Sequence, residues 1–334
     1  MTTISGTTST NPAAAPVARR KTDLRLVAQK YGTLLVLFLV IAACGAISDR
    51  FFTVSNLLNI LQQISMLTIV AVGLTYGFAA KEMDLSVGYT VGLAGLAAPL
   101  LLIAGYSLPV ALAAALACGI VVGAVNSLLV VSIGVPSLIA TLATGSILFG
   151  VNFILSGGRA IYGGLPASYL SIGQGRLFGI PSTAVAMLLV VGISWFLLER
   201  TVFGRRLYAV GGNARAAELS GINGRSFRAI GLAFSALFAA GAGILLSARL
   251  GSGQPNAGET YLLDGLAAVF IGMTMLRPGT ATVLGTFFGA LLIGVMNNGL
   301  NLAGMDTYVQ SIVKGIVIVI AVSIVSRTTS LKLL

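Results

Sequence analysis

Residues 108–133 read LPVALAAALACGIVVGAVNSLLVVSI, an unbroken apolar run without Asp, Glu, Lys or Arg. A helix rises about 1.5 Å per residue, and roughly 20 residues cross the hydrocarbon core of a bilayer. A barrel strand would alternate apolar and polar positions over about ten residues, and this run does not alternate. It reads as a membrane-spanning helix, and its neighbours on both sides read the same way.

Working outward, apolar runs fall at about 31–47, 60–80, 86–104, 136–156, 181–199, 228–250, 262–276, 280–303 and 308–326. Of the 334 residues 57% are hydrophobic and 9% charged, and the mean hydropathy is +0.99, a balance that excludes a soluble domain of this length. The expectation is an all-α membrane protein, a polytopic bundle of about ten transmembrane helices. The 42 glycines suit it, because small side chains let helix backbones approach in lipid.

Ten crossings return both termini to one side, and basic residues identify that side. Arg19, Arg20, Lys21, Arg25, Lys30, Lys81, Arg200, Arg205, Arg206, Arg215, Arg225, Arg228, Arg277, Arg327 and Lys332 fall together, against Arg50, Arg159, Arg176 and Arg249 opposite. The N- and C-termini and the 200–228 segment are therefore expected in the cytoplasm. Topology accounts for the net charge of +11. The basic residues flank helices and form no single run, so nucleic acid is not an expected partner.

The expected organisation is a disordered tail over 1–30, rich in Thr, Ser, Ala and Pro, a transmembrane domain over 31–326, and a short cytoplasmic tail over 327–334. Ile41–Gly45, IAACG, resembles a lipoprotein cleavage site at Cys44. A signal sequence preceded by a long polar tail and followed by nine more spans does not fit that reading, so the first span is taken as a permanent anchor. Cys44 and Cys118 lie in separate spans, an arrangement that suggests neither a disulfide framework nor a metal site.

The chain has no histidine, which removes the commonest general base, metal ligand and proton relay. It contains no GxSxG, CxxC, HExxH, GxGxxG or GxxxxGK[ST] sequence. No catalytic residue, metal or cofactor is expected here, and ATP-driven work would need a separate ATPase subunit. Ion coupling is poorly supported as well, since Glu82 and Asp84 fall at a hinge between spans and Asp49, Glu259, Asp264 and Asp306 near outer ends. Lys314 is the one charge inside a span; it either snorkels outward, or meets Asp306 or Asp264, or takes part in substrate passage or gating.

The polar interruption at 200–228 holds Gly211–Ile222, GGNARAAELSGI. Asn213 is a good N-cap, Ala214–Ser220 are helix formers, and Gly221 suits the residue after the helix, so a knob of about two turns is expected. Ala216, Ala217 and Ser220 share one side of it, Leu219 and Ile222 add apolar contacts, and Glu218 offers a charge. The knob either docks another protein or simply returns the chain to the membrane.

Phe203–Ile222, FGRRLYAVGGNARAAELSGI, resembles the cytoplasmic coupling loop of permease subunits from bacterial ABC importers of the ribose and simple-sugar type. FFTVSNLLNILQQ after the first span, MDLSVG at 83–88, VPSLIATLAT at 135–144, GTFFGALLIGVMNNGL and YVQSIVKGIVIVIAV resemble that family in the same order, over about residues 30–326. The resemblance implies a monosaccharide or polyol importer of the bacterial inner membrane. It implies pairing with a second copy or paralogue, cytoplasmic ATPase subunits that bind ATP and Mg, and a periplasmic binding protein that delivers the solute. It also carries an ATPase-coupling role onto Gly212, Asn213, Ala216, Ala217, Glu218, Leu219, Ser220 and Gly221.

Two stretches depart from the family pattern. Lys81 and Glu82 stand where paired glycines commonly precede DLSVG, in a turn that is either interfacial or a break within the membrane. Met273, Met275, Pro278 and Ala281 stand where small residues are usual, and Arg277 adds a charge. Asp84 and Ser86 either cap the next half-helix or take part in passage. Candidate pathway residues also include Asn126, Asn297, Asn298 and Asn301, with Gln62, Gln63 and Asn152 as further amides; such groups either line a route for sugar hydroxyls or tie helices together. Branched-chain amino-acid and nucleoside importers, and a self-contained secondary transporter, are the competing readings.

Overall fold

The computed structural model describes residues 24–328, so the expected tails at 1–23 and 329–334 lie outside the described residues. The helices are α1 (Leu24–Ile47), α2 (Val54–Ala79), α3 (Val87–Ile103), α4 (Leu108–Ser127), α5 (Ser137–Ser156), α6 (Ala167–Gln174), α7 (Ser182–Arg200), α8 (Val202–Gly212), α9 (Ala214–Leu219), α10 (Gly224–Leu250), α11 (Glu259–Gly272), α12 (Val283–Leu302) and α13 (Thr307–Thr328). Six stretches among the described residues are long and apolar enough to cross a membrane: α2, α4 with its π-helical continuation Leu128–Ile133, α5, α7, α10 and α12. The other helices lying on expected runs are α1, α3, α11 and α13.

Three expectations need correction. The first helix begins at Leu24, inside the tail expected over 1–30. The 200–228 segment is not an open loop holding one short helix, since α8 fills its first half and α10 begins at Gly224. The run at 262–276 is helical only to Gly272. Pro278 disfavours a helical conformation at Arg277, and Gly279 has φ +80, so the chain turns there instead.

The bundle is built around α2 and α10. Val70, Ala71, Val72, Leu74 and Tyr76 of α2 are fully buried, and α10 packs against α2, α3 and α4. Close approach of α10 to α3 requires glycine: a Cβ added at Gly243 would lie 2.3 Å from the Val91 carbonyl oxygen. The peripheral helices α4, α5 and α7 turn Ile120, Ile147, Ile154 and Leu189 outward, the apolar faces a bilayer would cover.

The two ends of the bundle are closed differently. At one, the two-residue strands Ile161–Tyr162 and Ser252–Gly253 pair antiparallel, joining the segments that follow α5 and α10. Tyr169 of α6 meets Ser247 there, oxygen to oxygen at 2.6 Å, and Gln174 Nε2 donates to the Arg249 carbonyl at 3.1 Å. Arg159, Arg176 and Arg249 belong to this end. The other end carries α8 and α9.

Candidate functional site

The short helix α9 has explicit ends, as expected from its sequence. Asn213 Oδ1 accepts from the Ala216 N–H at 3.0 Å, satisfying one of the amides a helix start leaves open. At the other end the Ile222 N–H donates to Ala217 O at 2.9 Å while Gly221 takes φ +78, the left-handed turn that favours glycine. Gly212, Asn213, Ala216, Glu218, Leu219, Ser220 and Gly221 are exposed together, Leu219 at 78%. Ala217 is the exception: it is 4% exposed and faces the protein, so it does not share an outward side with Ala216 and Ser220. The outward surface is instead Arg215, Ala216, Leu219 and Ser220, with Arg215 reaching back to Glu218 at 3.5 Å.

Beneath this knob, α8 is fixed to the bundle at two places. Gly211 lies against the C-terminal end of α2, where a Cβ at Gly211 would come within 2.0 Å of the Ala79 carbonyl oxygen. The α2 end is itself a tight stop: Lys81 has φ +59 and the Glu82 N–H donates to Gly77 O at 2.8 Å. A left-handed residue here explains why glycine is at home at this point and why lysine is a departure. Glu82 is 4% exposed, and its carboxylate Oε1 accepts from Nε of Arg228, in the second turn of α10. Tyr76 of α2 stacks on Phe234 of α10 at 4.6 Å between ring centroids, and Phe203 of α8 and Phe227 and Phe238 of α10 complete an aromatic wedge between these helices.

The second anchorage joins the elbow between α7 and α8 to the turn between α11 and α12. Arg277 Nη2 lies 2.9 Å from Glu199 Oε2 at the end of α7. Tyr208 of α8 donates its hydroxyl proton to the Ala281 carbonyl at 2.9 Å, with Glu199 Oε1 at 3.4 Å. Burial pushes the Tyr208 hydroxyl well above its ordinary pKa and the Glu199 charge pushes it further, against the opposing Arg277 charge, so it stays a proton donor at any physiological pH.

Between the two anchorages lies a cavity of about 960 Å³. Lys81 and Met83 line it from the α2–α3 turn, Ser137 from the start of α5, Tyr208 and Gly211 from α8, and Arg277 from the α11–α12 turn. Both stretches expected from the sequence to depart from the family pattern therefore border the same space. Sequence reasoning placed neither Glu199 nor Tyr208 in the site, and no local signal marks a pairing between residues so far apart in the chain.

The candidate pathway residues fall into separate groups. Asp84, Ser86 and Asn126 come together behind the α2–α3 turn, almost wholly buried: Asp84 Oδ1 accepts from the Ser86 N–H at 2.9 Å and its hydroxyl at 2.6 Å, and Asn126 Nδ2 donates to Ser86 Oγ at 2.9 Å. Asp84 thus holds Ser86, the residue before α3, and no side chain caps the start of that helix. Glu82, Asp84 and Ser86 of the α2–α3 turn are buried, while Lys81 is exposed. Asn298 makes a reciprocal amide pair with Asn56, 2.9 Å in each direction, a tie between α2 and α12. Asn297 sits beside Asp264, which pairs with Lys314 at 2.9 Å, one of the partners expected for that lysine. Asn301 is exposed near the end of α12.

A helical bundle with spans of membrane length and an exposed capped helix beside a cavity is the architecture of a polytopic membrane protein. The chain belongs to the permease family described as "Branched-chain amino acid transport system / permease component", whose model matches residues 56–322. Among its relatives, the "Ribose import permease protein RbsC" of Escherichia coli (strain K12) is 41% identical over 293 residues, covering 87% of this chain and 91% of the relative. The protein of the same name from Bacillus subtilis (strain 168) is 38% identical over 89% of this chain and 92% of its own. The "D-allose transport system permease protein AlsC" of Escherichia coli (strain K12) is 32% identical over 88% and 91%. No solved structure matches the chain.

Proposed function

We propose that the chain is the transmembrane subunit of an importer that carries a monosaccharide across a bacterial inner membrane. The observation that carries this reading is the similarity, over nearly the whole chain, to import permeases named for ribose and allose, and to others named for galactose and L-arabinose. The helices α1 to α5, α7 and α10 to α13 supply ten crossings with both termini cytoplasmic. That orientation puts α8 and α9 in the cytoplasm and the paired strands 161–162 and 252–253 outside, in keeping with the charge bias.

In this reading α9 is the element a cytoplasmic ATPase grips. ATP and Mg are bound by that partner, a periplasmic binding protein feeds the outer face, and a second permease copy or paralogue completes the pathway. The cavity beside α8 belongs to the cytoplasmic side of the route. Asp84, Ser86 and Asn126 serve it by fixing the α2–α3 turn, and Asn298 serves as a helix tie.

The test is to purify the tagged chain gently from its native membrane and identify its companions by mass spectrometry. Recovery of a stoichiometric P-loop ATPase, with ATP-dependent uptake of labelled ribose or another monosaccharide after reconstitution with the binding protein, is the expected result. Transport by the chain alone without ATP would overturn the reading in favour of a secondary transporter. Uptake of branched-chain amino acids and not sugars would overturn the substrate class.

A further inference from the structure

We propose that Glu82 and Arg277 are positioning residues that tie the helices flanking α8 and α9, α10 through Arg228 and α7 through Glu199, to two walls of the cavity, so that one movement of the cytoplasmic helices shifts both walls together. The proposal rests on the importer reading and deepens it. The first link runs from α8 through Gly211 onto Ala79, and from the start of α10 through Arg228 onto Glu82. Its wall is the α2–α3 turn, with Lys81 and Met83 facing the cavity. The second link runs from the α7–α8 elbow through Glu199 onto Arg277, and from α8 through the Tyr208 hydroxyl onto Ala281. Its wall is the α11–α12 turn, with Met273, Arg277 and Thr280 facing the cavity.

Each link combines a contact that pushes with a contact that pulls. Gly211 on Ala79 and the aromatic wedge resist compression, because packed atoms cannot interpenetrate. The Glu82–Arg228 and Glu199–Arg277 pairs resist separation, since a largely buried carboxylate does not readily leave its cation. Neither turn could be pulled by packing alone. Glycines at 81 and 82 would leave the α2–α3 turn without the carboxylate, and a small residue at 277 would leave the α11–α12 turn without the guanidinium. The two ion pairs are thus one feature, a paired linkage across a single cavity.

The experiment uses the complete transporter, the permease with its co-purified ATPase, reconstituted in proteoliposomes with the binding protein, and reads sugar taken up per ATP hydrolysed. Glu82→Gln and Arg277→Gln are expected to keep the ATPase bound and hydrolysing while uptake per ATP falls about tenfold, within the range of coupling between linked sites. The exchange Glu82→Arg with Arg228→Glu is expected to restore most of the ratio, which assigns the loss to the ion pair and not to either side chain alone. Arg277 is 58% exposed along its side chain and Gln can still donate to Glu199, so Arg277→Gln is expected to assemble and decides the second link even where Glu82→Gln does not. An unchanged ratio in Arg277→Gln, or an assembled exchange variant that stays uncoupled, overturns the proposal. Failure of the importer reading looks different, because the parent protein would then bring down no ATPase or transport without ATP.

Discussion

Gly211 and Gly212 are adjacent in the last turn of α8, yet the structure assigns them opposite responses to the same added methyl. A Cβ at Gly211 would stand 2.0 Å from the Ala79 carbonyl oxygen, whereas a Cβ at Gly212 meets nothing within 4 Å. Non-bonded carbon and oxygen do not approach much closer than about 3 Å, so Gly211→Ala must push α8 away from α2 by about 1 Å. Overpacking of this kind costs about 1–3 kcal/mol, and the helix propensity gained by alanine returns at most about 1 kcal/mol. Gly212→Ala collects the same propensity without the clash. The two variants should therefore differ by about 1–3 kcal/mol, read as a lower midpoint for Gly211→Ala in thermal unfolding of the purified protein. Uptake should fall in Gly211→Ala even where ATPase is retained, because the pushing contact on the α2–α3 turn has moved. Any loss in Gly212→Ala, at full stability, reports crowding of the surface proposed to dock the ATPase. Equal midpoints and equal uptake for the two variants would refute the contact between α8 and α2 as described.

The amide pair between α2 and α12 sets a second expectation. Asn298→Leu leaves Asn56 without both of its cross-helix hydrogen bonds and should cost about 1–2 kcal/mol, while the double variant with Asn56→Leu should cost less than the sum of the singles in a thermal-unfolding cycle; additive losses would refute the pairing. Uptake per assembled complex should stay near normal in Asn298→Leu, and its abolition would return Asn298 to the pathway. Lys314→Met strands the buried Asp264 carboxylate and should destabilise the protein by about 3–5 kcal/mol, most of it recovered by adding Asp264→Asn. A single variant as stable as the double would refute that link.

The amino-acid sequence disclosed the elements better than their partners. Long apolar runs place the helices, because a span must satisfy its backbone within itself and so declares its length locally. The cap of α9 was equally legible, since Asn213 and Gly221 act within a few residues of themselves. Where the reading went astray, the missing information was three-dimensional. Ala217 carries the same small side chain as Ala216, and only the packing of α9 against its neighbours turns one inward and the other out. The Lys81–Glu82 departure was visible as a departure, but its meaning waited on Arg228, and Arg277 waited on Glu199. The amides were the least legible of all: Asn126 and Asn298 look alike in sequence, yet one braces the α2–α3 turn and the other joins two helices.

The contrast between the two ends of the bundle lies in the ties that hold them. Opposite α8 and α9, the closure is main-chain pairing between 161–162 and 252–253, reinforced by the Tyr169–Ser247 contact. Backbone pairs of this kind fix a register, and sliding them by one residue turns every side chain to the wrong face. Three of the four ion pairs among the described residues lie instead at the α8–α9 end, and in each of them the cation is more than a third exposed. In two of them the carboxylate, Glu82 or Glu199, is largely buried, so the link holds against separation although its cation reaches the water boundary. The two ends are thus tied by different chemistry, main-chain pairing at one and side-chain ion pairs beside the cavity at the other.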